Sequence, residues 1–357
     1  MANVYYKIDG DNCYYSNEEL DGYTIRDNNA RVTDGKNVIV QVDSYDNFYL
    51  PENCNYLFYG ATNYDFNIHF VGSGITSAQS MFENCKMTGI FLYDDFDLSE
   101  CLDTSRMFYG CNKVVRLEWV VPDIRCSKNL NSMFNGCSSM EEAPILEIRD
   151  ATQMINTFSG CTSMGEVCVD DWGTSNVTTM SLLFNSCSAL TSINTRKINT
   201  SNVTDMSYMF ASCKGLTSLD LSTWDASKVI TMTNMFNGCT SLSSLDFLGN
   251  NTPNLVNINS TFRNCKALTE LDLSMITTPK LGTMQNAFYD CINLKTIYVS
   301  SGWALASSGV TSGNMFTSCT SLVGEAGTTY VSSNPQDKTY AHIDGGPSNP
   351  GYFTRKQ

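Results

Sequence analysis

The chain has 357 residues, of which 42% are hydrophobic and only 16% are charged. This length allows one large domain or two ordinary ones. Residues 1–174 hold 26 acidic and 11 basic side chains, whereas residues 175–357 hold 10 and 11, so the net charge of −14 lies in the first half. An acidic surface repels phosphate backbones, so the composition disfavours nucleic-acid binding.

The first residues, MANVYYKIDGDN, lack the positive and apolar segments of a secretory signal. No run of about eighteen apolar residues is present that could span a bilayer. The sequence therefore predicts no signal peptide and no membrane insertion. Unless a leader has been removed, we expect a virion or intracellular location and not Sec-dependent secretion.

Residues 1–74 contain short aromatic and apolar stretches, VYYKI, NVIVQV, YLFYG and FNIHFVG, separated by Asp, Asn and Gly. β-branched and aromatic runs bounded by turn residues are typical of strands. We predict that residues 1–74 form a β-rich N-terminal cap or docking module.

Residues 75–322 contain a repeat, because cysteines recur at intervals of 24, 26 or 28 residues. They lie at positions 85, 111, 137, 161, 187, 213, 239, 265, 291 and 319, and each follows a phenylalanine by three residues. A fixed period in the twenties is the mark of a solenoid, in which each coil is one supersecondary unit. We predict about ten stacked coils.

The coil Cys213–Cys239 shows the pattern of one unit. Leu219 and Leu221 flank Asp220, an alternation that predicts a short strand. The apolar residues that follow are spaced by three and four positions, which predicts a short helical segment, and Gly238 lies where that segment should end. We therefore predict an α/β repeat with one short parallel strand and one short helical segment per coil of about 26 residues.

The segment CKGLTSLDLSTWDASKVITMTNMFNGC, Cys213–Cys239, resembles the repeat of the BspA-like leucine-rich-repeat surface proteins. The resemblance covers residues 75–322. It implies a right-handed leucine-rich-repeat solenoid and a role in adhesion or protein recognition. Residues 323–357, which are rich in Gly, Pro and Ser, are then expected to form a C-terminal cap or tail.

The sequence offers little for catalysis, with two histidines, no C-x-x-C pair and no nucleotide-binding glycine loop. We predict no enzyme, no catalytic residue, no cofactor and no metal. The cysteine column could hold thiolate ligands or disulfides, but it fits small buried residues better. The residues that we assign to the structural core are Cys187, Cys213, Cys239, Cys265, Cys291, Phe210 and Phe236. We expect Cys168 to be exposed.

The outward positions of each strand lie five, seven and nine residues after a cysteine. Three aspartates occupy the middle position in consecutive coils, which suggests a weak Ca²⁺ site, a docking stripe for a basic partner or a consensus that only solvates the sheet. Trp303 is an aromatic outlier with a possible carbohydrate role. The candidate binding residues are Asn194, Asp220, Asp246, Asp272, Tyr298 and Trp303.

A large surface without a reactive centre favours a non-enzymatic binding protein that recognises a protein or glycan and serves attachment at a cell or virus surface. The alternative is a phage virion component, such as a fibre, decoration or tail protein, that docks to other virion proteins through its ends. A remote alternative is a glycan hydrolase that uses two carboxylates, since many acids lie in residues 83–171.

Overall fold

The computed structural model describes the chain in two compact units, Met1–Asn176 and Val177–Gln357. Each unit is built mainly of stacked coils joined by parallel pairing. No helix of the described residues is long and apolar enough to cross a membrane. The described residues are 3–41, 47–62, 69–93, 95–119, 123–170, 172–248, 252–305 and 309–357.

Short strands make up the regular secondary structure of the described residues, apart from one 3-10 helix at Lys338–Tyr340. The first unit contains β1 (Tyr5–Asp9), β2 (Asn12–Ser16), β3 (Thr24–Ile25), β4 (Asn37–Gln41), β5 (Asn47–Tyr49), β6 (His69–Val71), β7 (Gly89–Leu92) and β8 (Arg116–Trp119). The second contains β9 (Ser218–Asp220), β10 (Ser244–Asp246), β11 (Glu270–Asp272), β12 (Thr296–Val299) and β13 (Phe353–Arg355).

The N-terminal residues form a four-stranded sheet with the order β3-β1-β2-β4. Strands β1 and β2 make an antiparallel hairpin whose turn uses Gly10 at a φ of 56°, a conformation that glycine adopts without steric cost. Tyr15 of β2 is buried against Phe48 and Phe58, with ring centroids 6.1 and 6.0 Å away. The sheet therefore packs onto the first coil, while its role as a cap or docking module stays a prediction.

The predicted solenoid of parallel strands is confirmed. Strand β9 pairs with β10 so that Leu219 lies beside Leu245, and β7 pairs with β8 in the same parallel sense. The first coil-like turn occurs at residues 54–61, before the predicted start of the repeat at residue 75, and Asn53 bridges Ser77 of the next coil.

The predicted helical segment is not formed in the described coils. We call the nine residues that end at each column cysteine the turn segment, as in residues 231–239, and it consists of successive reverse turns. Asn234 and Gly238 have φ values of 57° and 80°, and a right-handed helix cannot pass through such residues. The N–H of Phe236 donates to the carbonyl of Thr261 in the next coil at 2.9 Å, whereas a helix would direct it along its own axis.

The core of each unit lies behind these turn segments. Phenylalanine rings of neighbouring coils stack face to face, with centroids 5.0 to 5.9 Å apart and nearly parallel planes. The column cysteines and the strand leucines are buried beside them. Every coil therefore completes the packing of its neighbour, as a solenoid requires.

Residues 323–357 pack against the last coil. Strand β13 pairs in parallel with β12, so that Phe353 lies beside Ile297. Asp344 is 5% exposed, and its carboxylate accepts hydrogen bonds from the backbone N–H groups of Ala326, Thr328 and others. A buried carboxylate with several donors fixes the loops around it.

Candidate recognition face

The strand face, which we define as the outward residues five, seven and nine places after each column cysteine, alternates with buried apolar residues. Leu219, Leu245 and Leu271 point inward and are at most 9% exposed. The residues on either side of each leucine are exposed or half-buried. This alternation follows from the two-residue period of a strand and leaves a polar surface open to solvent.

Asp220 is neutralised from within the chain. Arg196 Nη2 lies 3.1 Å from its Oδ2 atom, and the N–H and hydroxyl of Ser222 donate to Oδ1 at 3.0 and 2.5 Å. The hydrogen bonds from Ser222, together with Arg196, hold the pKa of Asp220 below its ordinary value. Arg196 occupies an outward position of the preceding coil, so the strand face carries its own cation.

Asp272 is also paired, although its partner comes from the tail. Lys356 Nζ lies 2.8 Å from the carboxylate of Asp272 and 4.7 Å from the ring centre of Tyr298. Burial raises the pKa of Asp272, but hydrogen bonds from Lys356 and Ser274 outweigh it, so the pKa is lowered overall. Tyr298 is therefore partly covered by Lys356.

Asp246 differs from its two neighbours. It is exposed and lies beside Asp220 in the parallel pairing of β9 and β10. Among the described residues, no ion pair or side-chain hydrogen bond reaches its carboxylate. The three aspartates predicted as one stripe therefore comprise two neutralised carboxylates and one free carboxylate between them.

The remaining candidates fall into different environments. Asn194 is exposed, and its Oδ1 accepts from the N–H of Arg196 at 3.4 Å. Trp303 is only 8% exposed, its indole N–H donates to the carbonyl of Ala341 at 3.1 Å, and its ring packs edge-on against Phe353. The hypothesis that Trp303 is a sugar platform is therefore wrong, because the tail buries the ring.

The cysteine column is buried, and its thiols bond between coils. Cys239 Sγ lies 3.0 Å from the carbonyl oxygen of Phe210, and the same contact recurs from Cys213 to Phe184. Burial raises the pKa of Cys239 to about 12, so the thiol stays protonated and is a poor nucleophile or metal ligand. None of the fifteen cysteines forms a disulfide, and Cys168 is exposed.

Two acids of residues 83–171, Glu83 and Asp123, are held in ion pairs by arginines. Glu83 forms two hydrogen bonds with Arg106, at 2.7 and 2.9 Å, and Asp123 pairs with Arg125. Burial raises the pKa of both carboxyls, but the arginine hydrogen bonds outweigh it and lower the pKa overall. A general acid of a glycosidase needs a raised pKa, which these carboxyls do not have.

Two partners on the strand face were missed from the sequence. Arg196 lies nine residues after Cys187, an outward position, so the period itself could have revealed it. Lys356 carries no such signal, because the tail reaches Asp272 only through the pairing of β13 with β12.

The repeat unit described above also matches a known family in residues 36–148, 152–268 and 217–330. The family is described as "Mycoplasma protein of unknown function, DUF285". The chain belongs to the DUF285 family. The matches fall on the coils from which the resemblance to BspA-like leucine-rich repeats was predicted, and this resemblance is confirmed for the repeat type. No curated protein matches this DUF285 chain.

Solved structures similar to this DUF285 chain include a leucine-rich repeat protein from Bacteroides ovatus ATCC 8483, which is 14% identical over 91% of this chain and 93% of that chain, with a TM-score of 0.43. A leucine rich cell surface protein from Faecalibacterium prausnitzii A2-165 is 13% identical over 80% of this chain and 77% of that chain, with a TM-score of 0.37. The TLR13–ssRNA13 complex is 16% identical over 80% of this chain and 38% of that chain, with a TM-score of 0.31.

Proposed function

We propose that the chain is a non-enzymatic recognition scaffold that binds a basic segment of a partner protein on its strand face. We further propose that this binding serves attachment at a cell or virus surface. The observation that carries the proposal is the carboxylate of Asp246, which has no partner among the described residues, whereas the carboxylates of Asp220 and Asp272 in the neighbouring coils each hold a cation. The internal ion pairs of Arg196 with Asp220 and of Lys356 with Asp272 support the proposal that an incoming Lys or Arg pairs on this surface.

The surrounding residues support a protein partner. The backbone of β9 and β10 is fixed by parallel pairing, so Asp246 is presented on a rigid support. Rigid presentation lowers the entropy that binding must overcome. A partner with one or two basic residues would match the charge of this position without displacing either internal ion pair.

Selection of a yeast-displayed random peptide library on the wild-type chain would test the proposal. We expect enriched peptides that carry Lys or Arg and lose about tenfold or more in affinity for Asp246→Lys, since reversing a paired charge removes attraction and adds repulsion. Asp21→Lys is the matched control, because Asp21 is an exposed acid of the other unit.

Two outcomes would contradict this proposal. Enriched peptides that bind Asp246→Lys as well as the wild type would place recognition away from Asp246. Failure to enrich any peptide, with binding found only on a glycan array run in parallel, would exclude a protein partner at this face.

A further inference from the structure

A cavity of about 490 Å³ lies in the N-terminal part of the first unit. A volume of this size is typical of sites for small ligands or short peptide ends. Val4 and Arg26 are its buried lining residues, and the others are exposed or half-buried. The lining residues are Asn3, Val4, Ile25, Arg26, Asp27, Asn28, Asn29 and Pro51.

Arg26 is held firmly in this cavity wall. It directly follows β3, and its backbone N–H donates to the carbonyl of Val4 at 2.7 Å. Its Nη2 atom donates to the carbonyls of Asn55 at 2.5 Å and Ala30 at 3.2 Å, and the residue is 6% exposed. Neutral carbonyl groups thus fix the guanidinium in place without balancing its charge.

The guanidinium of Arg26 lacks a counter-ion within the described part of the chain. No described carboxylate lies within 4.0 Å of its nitrogens, and its Nε atom is buried without a hydrogen-bond partner. The exposed carboxylate of Asp27 also lines the cavity but forms no ion pair with Arg26. The acidic groups buried around the guanidinium are the thiols of Cys13 and Cys54 and the hydroxyl of Tyr15. Burial raises the pKa of all three, to about 12 for Cys13, so they are neutral at pH 7.

Two other arginines of the first unit, unlike Arg26, form ion pairs with carboxylates. Arg106 pairs with Glu83, and Arg125 pairs with Asp123. Both of those arginines are more exposed than Arg26, although a buried cation needs a partner more than an exposed one does. A buried, unbalanced guanidinium in the wall of a cavity indicates a place for an anion that comes from outside the chain.

We propose that this cavity binds the C-terminal carboxylate of a peptide, with Arg26 as its counter-ion. A guanidinium matches the planar geometry of a carboxylate, which favours this anion over a spherical one. The side-chain amides of Asn28 and Asn29 supply donors and acceptors for a peptide group, and Ile25 and Pro51 supply apolar contact. This site shares no residue with the strand face around Asp246, for which we proposed a basic partner.

Saturation-transfer NMR on the full chain tests this proposal with a pool of acetyl-Leu-Xaa dipeptide acids, in which Xaa is each common amino acid. The matched pool of dipeptide amides keeps the size and the peptide groups but lacks the negative charge. We expect transfer to the acids, at least about tenfold weaker transfer to the amides, and loss of binding by about tenfold or more in Arg26→Gln.

Further variants separate binding from folding. Arg31→Gln removes a nearby exposed charge that stacks on Tyr56 and Tyr59, and it should bind the acids as the wild type does. Ile25→Asp leaves Arg26 intact and places a negative charge at the exposed rim, so it should weaken binding even if Arg26→Gln unfolds.

The proposal is overturned if the folded wild type gives no transfer to the acid pool, or if acids and amides bind equally. Full displacement of the acids by acetate at equal concentration would assign the site to small carboxylates and overturn the peptide assignment. Retained binding in Ile25→Asp and in folded Arg26→Gln would move the site away from this cavity.

Discussion

The turn side and the strand side of the coils differ in how regularly neighbouring coils pair. In the second unit the turn segments are joined coil after coil by parallel bridges, from Thr179 through Asp205 and Thr231 to Thr311. Among the described residues of this unit, the strands pair as β9–β10 and β11–β12–β13, and those between Cys187 and Cys213 form no strand. The turn side therefore pairs continuously from coil to coil, and the strand side does not.

The two sides pair with different regularity because they bury different amounts of side-chain surface. A turn segment buries its Phe and Cys, stacks its ring on both neighbouring coils and sends alternate N–H groups to the next coil. A strand of three or four residues buries only every second side chain. Substitutions on the two sides should therefore differ in their effect on the free energy of unfolding.

The largest expected effect is that of Phe236→Ala on the turn side. Phe236 is fully buried between the rings of Phe210 and Phe262, so its loss leaves a cavity in the stack. We expect a loss of about 3–5 kcal/mol in the free energy of unfolding, measured by urea denaturation. Asp246→Ala on the strand side should change it by less than about 0.5 kcal/mol. Equal losses from both would remove the distinction.

Asp344→Asn tests the C-terminal residues that cover the last coil, beyond both the last turn segment and the last repeat strand. Burial raises the pKa of Asp344, but hydrogen bonds from Thr328, Gly346 and Gly351 outweigh it and lower the pKa overall. We expect Asn to cost about 2–3 kcal/mol at pH 7, because the charged acceptor is lost.

The lowered pKa also predicts in which direction the stabilising contribution of Asp344 changes with pH. Since the pKa of Asp344 is lower in the folded chain, its contribution is present above the unfolded pKa of about 3.9 and is lost as pH falls through the folded value. Melting curves of the wild type and the variant should therefore converge in acid. A difference that stayed constant down to the lowest pH would show that the charge of Asp344 is not involved.

Gly238→Ala is expected to have an intermediate effect on the turn side. Its φ of 80° is unfavourable for alanine, while the nearest atom to an added Cβ, Ser212 Oγ, is 3.5 Å away and allows it space. The cost should be about 1–2 kcal/mol, from backbone conformation alone. Ser212 holds the same position one coil earlier with a φ of 59°, so Ser212→Gly should be neutral or stabilising. Thermal denaturation of both variants measures the two effects. A destabilising Ser212→Gly would refute the backbone explanation.

The smallest effect is predicted for Lys356→Gln on the strand side. The ion pair between Lys356 and Asp272 is about half exposed, and such pairs contribute roughly 1 kcal/mol or less. The free energy of unfolding should fall by no more than this, and the difference should shrink at high salt. A larger, salt-independent loss would mean that the cation on Tyr298 matters more than the ion pair.

Much of the repeat could be predicted because each coil repeats one local pattern. The period of Phe and Cys located the stacked column, and the Leu-Asp-Leu alternation located β9. The helical segment was predicted wrongly because spacings of three and four residues also arise from successive turns. Nothing in the spacing revealed that Asn234 would adopt a positive φ, a conformation that asparagine tolerates better than most residues.

Features that depend on distant contacts were not predictable from the pattern. Trp303 was singled out as an unusual surface aromatic, but the tail that covers it lies about forty residues further on and carries no repeat. The burial of Arg26 depends on Asn55 and on the sheet at the N-terminus, where the period is absent. The candidate recognition face could be located by its offsets, but the ion pairs that distinguish Asp246 required the structure.

The exchange of hydrogen bonds between neighbouring turn segments has a consequence for how such chains change in evolution. Each turn segment presents donors on one side and carbonyl acceptors on the other, in the same order from coil to coil. Unequal recombination that removes or duplicates one whole period thus joins two surfaces that already match. A gene of this kind can alter the length of its product without redesigning any interface, whereas loss of half a period would bring Phe opposite a strand and should be eliminated by selection.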